Sequence, residues 1–337
     1  MLTPFLTTGI GSMPHTNPDE ACRLVLETFD IPFWPQLPKL SFLESMIPQY
    51  SEGIPSLRIN EAKETVYIQR DEEDSLMQFY EHYSNDWKCA ISEKYSQGIY
   101  SFVKILKDRH FQFLKGQTTG PLTLTLGIKD SNGRLIYFDE ELREISLLVL
   151  NAKIKWQIEF LKPYANKIIL FIDEPILSAI GTSAYLGVNS DDAIRMLKET
   201  SGAIRKAGGI PGIHCCGKAD WPFVINSDVD IISFDAYDYV ETISLYPEEF
   251  TKFLENGGYL AWGIIPTTDS IKDENVDSIK KRFDTSLRFL SKNLPAVLLL
   301  SNILLTPSCG TGSRNVEETI KIFKILKELK KIIKEDP

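Results

Sequence analysis

Four side chains with metal-binding chemistry, His214, Cys216, Asp235 and Cys309, each stand at the C-terminal end of an apolar run that reads as a buried strand. Residues two apart on a strand share a face, so His214 and Cys216 can aim at one centre while Cys215 points away. Zinc takes thiolate, imidazole and carboxylate ligands in a tetrahedron, and two thiolates with a neutral imidazole leave the ion little net positive charge. Such an ion is a poor generator of hydroxide, but it can hold a substrate thiol as a nucleophilic thiolate. Thiol alkylation therefore fits this donor set better than hydrolysis. Asp235 is equally suited to capping the helix that follows its strand, and both readings stay open. Cys22 and Cys89 read as small buried hydrophobes.

Ligands spread between positions 214 and 309 meet only if their strands lie side by side. Apolar or β-branched runs at 6–11, 113–118, 167–172, 210–213, 230–234, 259–264 and 297–305 predict strands, and amphipathic patterns at 140–161, 191–207, 247–255, 276–290 and 316–333 predict helices. Strands alternating with helices of this length imply right-handed βαβ units and a parallel sheet. The expected fold class is α/β, a parallel (β/α)8 TIM barrel formed by a single catalytic domain over 1–337. Residues 14–110 read as a long irregular insertion after the first strand that covers the barrel mouth, with an antiparallel piece near 58–69 and helices after Asp71. In such a barrel the reactive groups collect where strands end. The singled-out polar residues stand there as a ring: Ile10 to Ser12, Thr119 to Pro121, Asp173 to Pro175, His214 to Cys216, Asp235, and Ser308 to Gly310.

Composition narrows the partners. The 337 residues are 43% hydrophobic and 11% aromatic, enough for a large core. A formal net charge of −9 and a pI near 5.2 argue against nucleic acid, which demands a basic stripe. The lysines between 321 and 334 fit the solvated face of a last helix. No secretory signal is legible at the N-terminus and the run 297–305 is too short to span a bilayer, so no membrane association and a cytoplasmic location are expected. Five cysteines are too few and too odd a number for a disulfide framework, so reduced thiols are expected.

The segments TTGIGSMPHT (7–16), KGQTTGPLTL (115–124), IILFIDEPIL (168–177), IHCCG (213–217), DIISFDA (230–236) and LTPSCGTGSR (305–314) resemble, in order and spacing, the C-terminal catalytic barrel of cobalamin-independent methionine synthase, within the uroporphyrinogen decarboxylase and methionine synthase superfamily. The resemblance implies a zinc-dependent methyltransferase that forms methionine from homocysteine. It makes His214, Cys216 and Cys309 zinc ligands and sets Asp235 where the family places a ligand Glu. It assigns Asp173 to the substrate amino group, and Ile10 and Ser12 to the loop that cradles the amino acid. Homocysteine presents an ammonium, a carboxylate and a thiol, so an acidic residue, a few donors and a thiophilic metal answer its chemistry.

The departures bear on the methyl donor. The family's additional N-terminal barrel has no counterpart in this length, Gly127 stands at the position of its folate-stacking Trp, and its Arg-Cys pair and later His find no match. A methylated corrinoid carried by another protein is therefore the expected donor, in place of a polyglutamyl methylfolate. Two other readings use the same ligands: methyl transfer from a corrinoid to a coenzyme M-like thiol, for which a sulfonate would want basic residues in place of Asp173, and a non-catalytic protein that handles zinc or corrinoid.

Overall fold

The computed structural model describes residues 2–70, 74–83, 89–180, 185 and 187–335. In chain order the strands are β1 (Leu6–Thr7), β2 (Leu57–Asn60), β3 (Thr65–Ile68), β4 (Phe111–Thr119), β5 (Lys129–Asp130), β6 (Ala165–Asp173), β7 (Ile210–Cys215), β8 (Ile231–Phe234), β9 (Tyr259–Ile265) and β10 (Ile303–Pro307). Seven of them form one curled parallel sheet in the order β1-β10-β9-β8-β7-β6-β4, a TIM-barrel-like arrangement. Long helices follow the strands. Glu140–Leu161 starts on an Asp139 side-chain cap, Ser190–Lys206 on Asn189, and Val276–Leu290 on a reciprocal Asn275–Ser278 capping box.

Alternation along the strands separates two cores. Ile168, Leu170 and Ile172 join the large cluster shared with the surrounding helices, whereas Ile169 and Phe171 join Ile31, Ile231, Tyr259, Ala261 and Leu304 in a second cluster without helix residues. The second cluster fills the inside of the curled sheet. The barrel floor is thus apolar, and polar side chains such as Lys115 and Gln117 begin above it.

Eight regular strands were expected; the described residues contain seven in this sheet, and residues 31–37 occupy the gap between β1 and β4. Ile31 N donates to Thr7 O (3.0 Å) and Gln36 N to Gly11 O (3.0 Å) on one side, while Lys115 N donates to Pro32 O (2.8 Å) and Trp34 N to Lys115 O (3.4 Å) on the other. Pro32 and Pro35 have no N–H to give, so the pairing breaks into isolated bridges. Side chains replace the missing ladder. Gln117 Nε2 donates to Trp34 O (3.2 Å), Trp34 Nε1 to Gln157 Oε1 (2.8 Å), and Gln157 Nε2 to Gln117 O (3.0 Å). Gly116 makes room for this lock, because a Cβ there would lie 2.1 Å from Gln157 Oε1.

Helix Pro18–Thr28 connects β1 to this segment, and Phe29 at its end packs edge-on against Phe323 of the last helix, Val316–Glu335. The excursion after residue 37 contains the expected antiparallel pair, β2 with β3, extended by β5 into a small separate sheet. Helices Asp74–His82 and Gln97–Leu106 follow, while Asp71 lies outside the described residues. Glu44, fully buried, accepts from Leu37 N (3.2 Å) and Gln97 N (2.8 Å) and so ties the excursion to the eighth-strand segment. The run 297–305 splits: Ala296–Ser301 is a helix that starts after Pro295, and only from Ile303 does the chain extend as β10. Asn302 closes that helix, its Nδ2 donating to Leu298 O at 3.0 Å. Among the described residues no helix is long and apolar enough to cross a membrane.

Removing the indole donor should expose how much the irregular strand depends on this lock. Trp34→Phe leaves Gln157 Oε1 buried without a donor and should cost about 1–3 kcal/mol; the check is the midpoint of urea unfolding, and an unchanged midpoint would contradict the bracing role.

Candidate metal centre

The register of the sheet builds the centre. Thr119 of β4 lies opposite Asp173 of β6, Asp173 opposite His214 of β7, and His214 opposite Ser233 of β8, so these residues form one level at the C-terminal rim. Cys216 follows β7 by one residue, and Cys309 stands two beyond Pro307, the end of β10. Ser308 fixes that last turn: its N–H donates to Ile265 O (2.8 Å), and its hydroxyl accepts from Thr267 N (3.2 Å).

His214, Cys216 and Cys309 come together as expected, each offering a ligand atom within 4.8 Å of the other two. His214 is buried and both cysteines are half-buried. His214 Nδ1 lies 3.0 Å from Ser233 Oγ, whereas its Nε2 is buried without a hydrogen-bond partner. An imidazole held through one nitrogen, with the other bare beside two sulfurs, suits a thiophilic ion such as zinc, and the hydroxyl sets ring orientation and tautomer. The neighbouring Cys309 thiol and His214 ring pull the Cys216 thiol down to about 4, while the neighbouring Cys216 sulfur pushes the Cys309 thiol upward. Cys215 points away, its thiol buried and turned toward Gly217 O (3.7 Å).

Asp235 falls outside the three-residue group. Its Oδ1 accepts from Tyr237 N (2.9 Å) and Asp238 N (2.9 Å), so that oxygen caps the turn after β8. Burial pushes its carboxyl up to about 7.

Asp173 is 6% exposed, and its Oδ1 has no hydrogen-bond partner. Burial raises its carboxyl to about 6, against the pull of the Lys115 ammonium and His214. Lys115, wholly buried, is lowered to about 8 by the same desolvation. The Lys115 ammonium donates to Ile10 O and stands 4.5 Å from the Phe171 ring centre, so it clamps the turn after β1 from below. Ser12 is stapled to the β10 turn: Thr311 N donates to Ser12 O (2.8 Å), and a Cβ on Gly310 would lie 2.1 Å from Ser12 Oγ. Ile10, Ser12 and Cys309 therefore share one corner of the rim.

Neighbouring Glu174 serves the scaffold. Its carboxylate accepts from Leu122 N (2.8 Å), Thr123 N (2.9 Å) and Thr123 Oγ1 (2.6 Å), anchoring the turn after β4. Sequence reasoning missed Lys115, Gln117 and Ser233. The signal was available for the first two, because Lys115, Gln117 and Thr119 place polar groups at every second position of an otherwise buried strand.

No protein-family model matches this chain, and no curated protein matches it in sequence. Among solved structures, a B12-independent methionine synthase from Shewanella sp. W3-18-1, in complex with selenomethionine, superposes with a TM-score of 0.64 over 99% of this chain and 98% of that one, at 15% identity. This chain has the methionine synthase-like barrel fold. The tandem GH20 catalytic modules of the pneumococcal exo-β-D-N-acetylglucosaminidase StrH match more loosely, with a TM-score of 0.45, 11% identity, and coverage of 96% of this chain and 84% of that one. At these identities the likeness to the synthase establishes the shared fold, and the chemistry of the rim has to be read from this chain's own residues.

Two substitutions test the ligand set. Cys309→Ala should abolish stoichiometric zinc binding, and Ser233→Ala, which leaves His214 Nδ1 without its partner, should weaken zinc about 10–100-fold. Competition with a chromophoric chelator measures both, and wild-type affinity in the Cys309 variant would remove it from the set.

Proposed function

We propose that this protein is a zinc-dependent methyltransferase that moves a methyl group onto the thiol of homocysteine to form methionine. The observation that carries the reading is the convergence of the His214 ring with the sulfurs of Cys216 and Cys309, level on the rim with a buried acidic residue, Asp173. The three side chains would hold the ion, and zinc so ligated supplies thiolate chemistry in place of hydroxide chemistry.

The remaining work falls to the chain. Asp173, with Oδ1 unpaired, is the acceptor proposed for the substrate ammonium. The turn from Ile10 to Ser12 is the cradle proposed for the amino-acid backbone, held rigid by the Lys115 ammonium beneath Ile10 and by Thr311 beside Ser12. Fixing the head of the amino acid leaves its thiol reaching toward the sulfur ligands. The sulfur then forms the new S–CH3 bond in line, the donor keeps the electron pair of the bond that breaks, and the thiol proton goes to solvent. Holding sulfur and methyl carbon in a near-attack arrangement accounts for most of the expected acceleration.

For the donor we propose a methylated corrinoid borne by a separate protein, because Gly127 and the missing Arg-Cys pair and His leave the pterin contacts of the resembling family unmatched. The structurally similar Shewanella enzyme is B12-independent, which makes a methylated folate the rival donor. A methyl-transfer assay on zinc-loaded protein, offering homocysteine with methylcobalamin or methylfolate in parallel, decides between them. Methionine formed from methylcobalamin is the expected outcome; methionine from methylfolate alone would overturn the donor, and none from either would overturn the reaction. Asp173→Asn should retain zinc yet lower kcat/KM for homocysteine about 10–100-fold, the loss anticipated when a charge-assisted hydrogen bond is weakened.

A further inference from the structure

Gln117 is 1% exposed on the inward face of β4, two residues above Lys115. Its amide orientation is fixed, because Nε2 donates to Trp34 O at 3.2 Å. Its carbonyl oxygen, Oε1, is consequently turned the other way, and it is buried without a hydrogen-bond partner. What Oε1 faces is the turn from Ile10 to Ser12: a Cβ built on Gly11 would lie 2.9 Å from it. Asp173 stands diagonally across on β6, one step nearer the rim, and its Oδ1 is also buried and unpaired.

Two buried acceptors without donors are costly to maintain, at about 1–3 kcal/mol each. Lys115, the cation on the same strand, is committed to Ile10 O and the face of Phe171. A bound molecule that brings N–H groups would satisfy both oxygens. A primary ammonium has three and can serve both oxygens, whereas a carboxylate or sulfonate alone would set its charge against them.

We propose that Gln117 is a specificity-determining residue that, with Asp173, makes this pocket select thiols carrying a primary ammonium group. The proposal rests on the thiol-acceptor reading above. It gives the site a neutral acceptor for the ammonium besides the acidic one, and it spreads the discrimination between an amino-acid thiol and a sulfonate thiol over strands β4 and β6.

Calorimetric titration of zinc-loaded protein with L-homocysteine and with 4-mercaptobutanoate, which keeps the thiol and carboxylate but lacks the amine, provides the test. Wild-type protein should prefer homocysteine. Gln117→Met should cut that preference about tenfold by weakening homocysteine alone, and Gln117→Glu, which retains an acceptor, should keep it. A Met variant that binds both thiols as the wild type does, or loses both in parallel with its zinc, overturns the role of Gln117. Wild-type protein that binds neither thiol overturns the acceptor reading itself, a result distinct from normal thiol binding with an unaltered preference.

Discussion

Two sulfurs and one bare imidazole nitrogen within 4.8 Å of one another form the constraint on which everything else turns. They come from the ends of β7 and β10, strands separated in the sheet by β8 and β9, and no local motif could bring them together. The curl of the parallel sheet does so, because it turns the C-terminal ends of distant strands toward a common axis. The apolar interior from Ile169 to Leu304 and the hydroxyl of Ser233 then fix where the ligand atoms stand. A flat sheet with the same sequence register would leave Cys309 far from His214.

Electrostatics beneath the rim follows from the same geometry. Desolvation raises Asp173 and lowers Lys115, each opposing the other, so the barrel interior holds opposite charges that remain short of full pairing. Such an arrangement is costly for folding alone, since a buried cation over aromatic rings and a carboxylate with an unpaired oxygen give up hydration without full compensation. The zwitterionic acceptor proposed above would supply what they lack. Asp173 Oδ1, His214 Nε2 and Gln117 Oε1 are unpaired in this region, whereas Glu44 and Glu174 are fully employed in binding loops.

Much of the fold was legible from periodicity. The helices at 140–161, 247–255 and 276–290 match the structure at both ends, because apolar spacing agrees there with an Asp139 cap, Pro247 at a helix start and an Asn275 cap. The segment 31–37 was hidden by its own prolines, which make it read as loop although it fills a strand position, braced by a side-chain bond from Gln117 to Trp34 O and one from Trp34 Nε1 to Gln157. The run 297–305 misled because an apolar stretch carries no period of its own, and Pro295 and Asn302 decide where helix gives way to strand. In the site, His214, Cys216 and Cys309 were legible from residue type and strand-end position. Ser233 was not, since a serine inside an apolar run reveals its partner only when the neighbouring strand is in register. Asp235 had two chemically reasonable destinations, and its Oδ1 is engaged by the backbone of its own turn.

The most direct test of the central claim is zinc K-edge X-ray absorption of the metal-loaded protein, recorded before and after adding L-homocysteine. The account predicts two sulfur ligands with at least one nitrogen at first, and three sulfurs once the thiol is present. A sulfur count that stays at two, or a first shell holding only nitrogen and oxygen, would contradict it.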